Sequence, residues 1–192
     1  MLEINFLKSV YNLSELPTKI LPEAILCGRS NVGKSSFINS LFSTKIAMTS
    51  STPGKTRSIN YYIVNNKFYI VDLPGFGYAK VSKKEKIHWK NLLQQFFSLK
   101  RNQRIAIHLI DSRHAPLQND LILNSYLKNF DIPYLVVLNK IDKLSQSEIE
   151  KSMSVIRKYF PELIFKENLF AYSSVTKYGK KEIISRLKAL FL

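Results

Sequence analysis

The chain has 192 residues, and its 29 Lys and Arg outnumber 14 Asp and Glu to give a formal net charge of +15. A length of this order predicts a single domain, 1–192, that buries roughly 70% of its unfolded-state surface, and 45% hydrophobic residues exclude a disordered chain. The charge excess predicts a polyanionic partner, while the lone Cys27 excludes an internal disulfide and fits a reducing cytosol. Met1–Lys8 has neither a basic leader nor a continuous apolar stretch, and no apolar run is long enough to span a bilayer. The expectation is a soluble, cytoplasmic protein without a membrane partner.

Short apolar runs alternate with longer amphipathic ones, the pattern of an α/β fold with a mostly parallel sheet and helices on both faces. Strand Ile4–Ser9 comes first, then strand Ala24–Cys27, in which Cys27 is inert packing. Gly28-Arg29-Ser30-Asn31-Val32-Gly33-Lys34-Ser35 follows and runs into helix Lys34–Phe42. Strand, glycine-rich turn and helix is the setting of a phosphate-binding loop. Its N–H groups converge on phosphate oxygens, and the helix N-terminus adds partial positive charge. Lys34 is placed to reach the β- and γ-phosphates and the Ser35 hydroxyl to ligate Mg²⁺, and Ser36 belongs to the same nucleotide-binding set.

The polar stretch between Ser43 and Ser58, with Pro53-Gly54, is long enough to be a switch loop. Strands Ile59–Val64 and Phe68–Asp72 flank Asn65-Asn66-Lys67 and predict one antiparallel hairpin. Asp72-Leu73-Pro74-Gly75 closes the second of these strands. Asp72 can reach Mg²⁺ through a water, and the Gly75 N–H can meet a γ-phosphate. Helix Lys83–Leu99 is expected to bury Ile87, Phe96 and Leu99. Lys80, Lys83, Lys84, Lys86, Lys90, Lys100 and Arg101 then form a basic surface continuous with Gly75.

Strand Ile105–Asp111, helix Leu117–Asn129 and strand Tyr134–Asn139 lead to Asn139-Lys140-Ile141-Asp142. A carboxylate at Asp142 can accept both the N1–H and the N2 amino group of guanine. Adenine offers neither donor and would leave a charge unpaired. Asn139 can tether this loop to the phosphate loop, and the Lys140 stem can cover one face of the base. Helix Ser145–Tyr159 and strand Leu169–Ser173 follow. In Tyr172-Ser173-Ser174, the Ser174 N–H suits guanine O6 and Ser173 can brace Asp142. In helix Lys180–Leu190, Ile183, Ile184, Leu187 and Leu190 form a stripe for core packing. His88, His108 and His114 lack metal-ligand spacing and are structural.

Phosphate loop, switch, DxxG, NKxD and SSx, in that order, predict a three-layer P-loop GTPase (Ras-like) fold. A P-loop nucleotide kinase would need a lid and would leave Asp142 without a role. The stretches Gly28–Asn39, Thr49–Thr56, Asp72–Lys83, Asp111–Pro116 and Tyr172–Ser174, with Trp89, resemble the bacterial EngB (YihA/YsxC-type) ribosome-assembly GTPases of the TrmE-Era-EngA-EngB-Septin-like group. The resemblance implies GTP/GDP and Mg²⁺ binding with slow hydrolysis by a monomer. It also implies a switch acting on the large ribosomal subunit precursor and its rRNA, in support of growth, division and septation. It brings Gly54, Lys55, Thr56, Arg57 and Ser58 to the nucleotide. Thr56 becomes the second Mg²⁺ ligand with Ser35 and Asp72, although on sequence alone Thr49 and Thr52 compete. The catalytic set it implies is Lys34, Thr56 and Gly75.

Asn139 departs from the threonine often found in that family; either side chain can make the tether. Phe76 stands where many such GTPases place a glutamine to orient the attacking water, so hydrolysis rests on Lys34, Mg²⁺ and backbone donors. Asn31 is read either as a K⁺ ligand against the phosphates or as a brace of the loop. The basic surface is either a solvated helix face or an rRNA contact that follows the γ-phosphate. The alternative function is a basic rRNA-binding assembly factor whose nucleotide site is mainly regulatory.

Overall fold

The computed structural model describes residues 2–48, 58–76, 83–101 and 103–192, apart from the side chains of 83–86 and 88–90. The strands are β1 (Ile4–Val10), β2 (Glu23–Gly28), β3 (Ile59–Val64), β4 (Phe68–Asp72), β5 (Arg104–Asp111), β6 (Tyr134–Asn139) and β7 (Leu169–Tyr172). The helices are α1 (Lys34–Phe42), α2 (Lys83–Ser98), α3 (Gln118–Asn129), α4 (Gln146–Tyr159) and α5 (Lys180–Phe191). One sheet results, in the order β1-β3-β4-β2-β5-β6-β7. This is the predicted three-layer P-loop GTPase fold. β3 alone runs against the others, pairing antiparallel with both β4 and β1. The hairpin turns at Asn65 and Asn66, whose φ of +47° and +55° suit the primed turns that match strand twist. The position of β1 at the sheet edge, beside β3, was not legible in the sequence.

Strand side chains alternate between faces, so each buried strand feeds two cores. In β2, Ala24 and Leu26 pack on one face, with Phe37, Ile38 and Leu41 of α1 and Ile183 and Leu187 of α5. Ile25 and Cys27 point to the other face, with Leu92, Leu93, Phe96 and Phe97 of α2 and Leu123 and Leu127 of α3. On that same side Val136 and Leu138 of β6 meet Ile156 of α4 and Phe160, which follows that helix. Cys27 is buried as expected, and that burial pushes its thiol pKa up to about 12.

Two expectations for α2 are corrected. Ile87 is 60% exposed, whereas Phe96 is fully buried; Leu99 lies just past the helix and is partly buried. Arg101 does not contribute a free charge to the basic surface. It donates to buried Glu23 (2.9 Å), which Arg104 also engages (3.0 Å), and Arg104 caps the carbonyls of Phe96, Phe97 and Leu99. A buried carboxylate requires such compensation, so the Arg101 guanidinium is held beside the first residue of β2.

Candidate functional site

Five parallel strands end on the same edge of the sheet, and the loops that leave them converge, as in other open α/β sheets. Between β2 and α1 the backbone of 28–33 curls through Asn31 (φ +61°) and Gly33 (φ +102°). Gly33 cannot be replaced cheaply, because its φ strains any L side chain, and a Cβ there would also lie 2.7 Å from Asn139 Nδ2. Lys34 opens α1, is 9% exposed, and folds back to donate to Gly28 O (3.4 Å) and Arg29 O (3.5 Å). Burial lowers its pKa, and the charge of Asp72 opposes that shift. Ser35 and Ser36 occupy the first turn of α1 beside it.

Asp72 ends β4 in register with Leu26 of β2 and is 2% exposed. Its Oδ1 has no hydrogen-bond partner among the described residues. Burial pushes its pKa up to about 6 against the pull of Lys34. Beyond it, Gly75 lies against the phosphate loop, where a Cβ would sit 2.7 Å from Ser30 Cα. Phe76 continues the contact: its N–H donates to Gly28 O (2.9 Å), and its carbonyl accepts from Ser30 N (3.3 Å). The Phe76 ring packs edge-on against Tyr126 of α3.

The loops that follow β6 and β7 are braced by the two side-chain contacts the sequence suggests. Asn139 donates to Val32 O (2.9 Å), which ties the end of β6 to the phosphate loop. Ser173 sits one residue beyond β7 and donates to Asp142 Oδ1 (2.7 Å). Its own oxygen accepts from Val175 N (3.2 Å) and Thr176 N (3.1 Å), so the hydroxyl is locked and the carboxylate with it. Lys140 donates to Asn31 O (2.8 Å), bringing its stem across the gap between the two loops.

Some assigned residues are turned away from this space. Arg29 Nε pairs with Asp120 of α3 (3.3 Å), so only its backbone faces the loop interior. Val32, Leu73, Pro74, Ile141 and Tyr172 are buried, and the Tyr172 hydroxyl is spent on Ser40 Oγ (2.9 Å). The Ser58 hydroxyl donates to Asn60 at the start of β3 (2.9 Å). Gly54, Lys55, Thr56 and Arg57, with Thr49 and Thr52, lie outside the described residues, as do Lys80 and the side chains of Lys83, Lys84, Lys86, His88, Trp89 and Lys90.

Asp111 was missed as a site residue. At the end of β5, in register with Asn139, its carboxylate accepts from Lys140 Nζ (2.8 Å), from Arg113 Nε (2.9 Å) and from Arg113 Nη2 (2.8 Å). Burial alone would raise its pKa, but these hydrogen bonds hold the carboxyl well below the usual range. The available signal was a carboxylate closing an apolar strand one position along the sheet from NKxD.

A family model described as "50S ribosome-binding GTPase" matches residues 23–140. The "Probable GTP-binding protein EngB" of Thermoanaerobacter pseudethanolicus is 42% identical over 183 residues, covering 95% of this chain and 94% of its own length. Its counterpart in Thermotoga maritima is 42% identical over 188 residues, covering 98% and 96%. A crystal structure of a probable GTP-binding protein engB superposes with a TM-score of 0.73 at 26% identity, over 88% of this chain and 97% of that one.

Proposed function

The chain belongs to the EngB family of GTP-binding, GTP-hydrolysing proteins, and from that premise we propose a nucleotide-dependent switch in assembly of the large ribosomal subunit. It acts in the cytoplasm, as a monomer, on the precursor particle and its rRNA, and supports growth and division. The observation that carries the nucleotide part is the locked Asp142 carboxylate, held 2.7 Å from Ser173 Oγ on the same sheet edge as the phosphate loop. Two N–H donors of guanine can pair with that carboxylate; adenine would leave it unpaired. The +15 charge and the family description support the rRNA part.

Lys34 can exchange its two long carbonyl contacts for phosphate oxygens, and the N–H groups of 28–33 can cradle the rest. Asp72 and Ser35 suit Mg²⁺: a buried carboxylate oxygen without a partner among the described residues and a hydroxyl are hard donors, and this ion binds through few protein ligands plus phosphates. There the ion would supply positive charge to offset the phosphate oxygens. Thr56 is the proposed ligand from the switch. The Phe76 side chain has no polar atom and its ring packs on Tyr126, so water orientation falls to backbone donors and turnover is slow. Asn31 is proposed as a K⁺ ligand.

Titrating wild type and Asp142→Asn with GTP, ATP and XTP tests the base assignment. Wild type is expected to prefer GTP over ATP, and the variant to move toward XTP. Equal affinity of wild type for ATP and GTP would refute it. Co-sedimentation with large-subunit precursors, compared between GDP and a GTP analogue, tests the switch.

A further inference from the structure

A second basic feature lies away from the nucleotide loops. Along the outer edge of β7, a cleft of about 500 Å³ opens between the chain entering that strand and α5. Phe170 and Ala189 form part of its floor, and Lys166, Lys181 and Arg186 line it against a single acid, Glu182. Positions 181, 185 and 189 recur every fourth residue, which places them on one stripe of α5 beside the stripe of Ile183 and Leu187 that enters the core. Arg186 Nε is buried and has no hydrogen-bond partner among the described residues. Next in the chain to Lys166, Phe165 is 40% exposed, and Lys166 Nζ lies 5.6 Å from its ring centroid.

An edge strand ordinarily invites a peptide to add as another strand. Here that route is largely closed. Leu169 N donates to Ile164 O (3.1 Å), Leu169 O accepts from Lys166 N (2.9 Å), and Ser173 N donates to Tyr178 O (3.3 Å). Recognition must then come from side chains: three cations over an apolar floor, next to an exposed aromatic ring. That combination matches a single-stranded RNA backbone with a base stacked at the rim.

We propose that the β7–α5 cleft is an RNA-backbone docking site that works independently of the bound nucleotide, deepening the ribosome-assembly reading on which it rests. The cleft shares no lining residue with the loops around Asp72, Asp142 or the phosphate loop. It also sits beside α5, on the opposite face of the sheet from α2. The chain thus contacts RNA constitutively through β7 and α5, whichever nucleotide is bound.

The test is fluorescence anisotropy of a labelled oligouridylate with the full chain, loaded with GDP or with a non-hydrolysable GTP analogue, across a salt series. Lys166→Gln/Lys181→Gln removes two phosphate contacts. The slope of log affinity against log salt should fall by about 1.4 and affinity at ~0.1 M salt by about twentyfold. The loss should be equal in both nucleotide states, with GTP affinity and thermal stability unchanged. Glu182→Gln should strengthen RNA binding a few-fold. Wild-type RNA binding that the double variant leaves intact overturns the cleft alone, and no RNA binding by wild type in either state overturns the ribosome reading with it. A loss seen only with polyglutamate, and not with RNA, overturns the proposal in favour of an acidic protein partner.

Discussion

Asp72→Asn should make the nucleotide-free protein more stable while crippling its response to Mg²⁺. The carboxylate is 2% exposed, one oxygen lacks a partner among the described residues, and burial lifts its pKa from the ordinary 3.8 to about 6. A folded-state pKa raised above the unfolded one means that the folded chain holds the proton more tightly. The associated stability is fully present below about pH 4 and is lost as pH rises through about 6. Two units at about 1.4 kcal/mol each put the cost of ionising Asp72 near 3 kcal/mol at neutral pH. For a chain of this length that is roughly 6–12 °C in Tm. Asparagine keeps the shape without the charge, and Lys34 retains Gly28 O and Arg29 O as acceptors. Urea titrations of both proteins at about pH 4 and about pH 7.5 measure the effect. The two should agree at the lower pH, and the variant should lead at the higher by up to about 3 kcal/mol. Adding Mg²⁺ with GDP should stabilise wild type more than the variant. A variant less stable than wild type at about pH 7.5, or a difference that ignores pH, would refute the reasoning.

Ser173→Ala removes a hydrogen bond to a carboxylate, worth about 1.5–3 kcal/mol, and should weaken GTP and GDP alike by about tenfold to a hundredfold. A loss confined to one nucleotide, followed by calorimetry, would contradict a role at the base. Gly33→Ala forces a Cβ to within 2.7 Å of Asn139 Nδ2 at a φ of +102°. Nucleotide affinity should fall more than about tenfold with the circular dichroism spectrum retained; wild-type affinity would show that the tether is dispensable. Turnover should be faster in KCl than in NaCl at equal ionic strength, and identical rates reject Asn31 as a K⁺ ligand.

Much of the fold was visible because its signals are local. Gly28 to Ser35 between an apolar run and a helical one, Asn65-Asn66 between two strands, and the stripe of Ile183 and Leu187 each depend on neighbours a few residues away. Ser173 bracing Asp142 and Asn139 holding the phosphate loop were also legible, since both follow from motif order on a parallel sheet. Ile87 was misassigned because helical spacing says which residues share a face, not how far a neighbouring surface extends along it. Arg101 was misassigned because its partner, Glu23, lies 78 residues away.

The amino-acid sequence by itself supplied the side chains of the proposed chemistry: the Gly28–Ser35 loop, the Asp142 carboxylate, the apolar Phe76, and a strong positive charge. Those are properties of side-chain type and short spacing, which the covalent chain carries directly. Tertiary structure alone decided that Asp111 engages Lys140, that Arg29 turns toward Asp120, and that Lys166 meets Lys181 and Arg186 across a cleft. Each joins segments that only strand order and helix packing bring into contact, and both are set by burial of apolar surface rather than by local spacing.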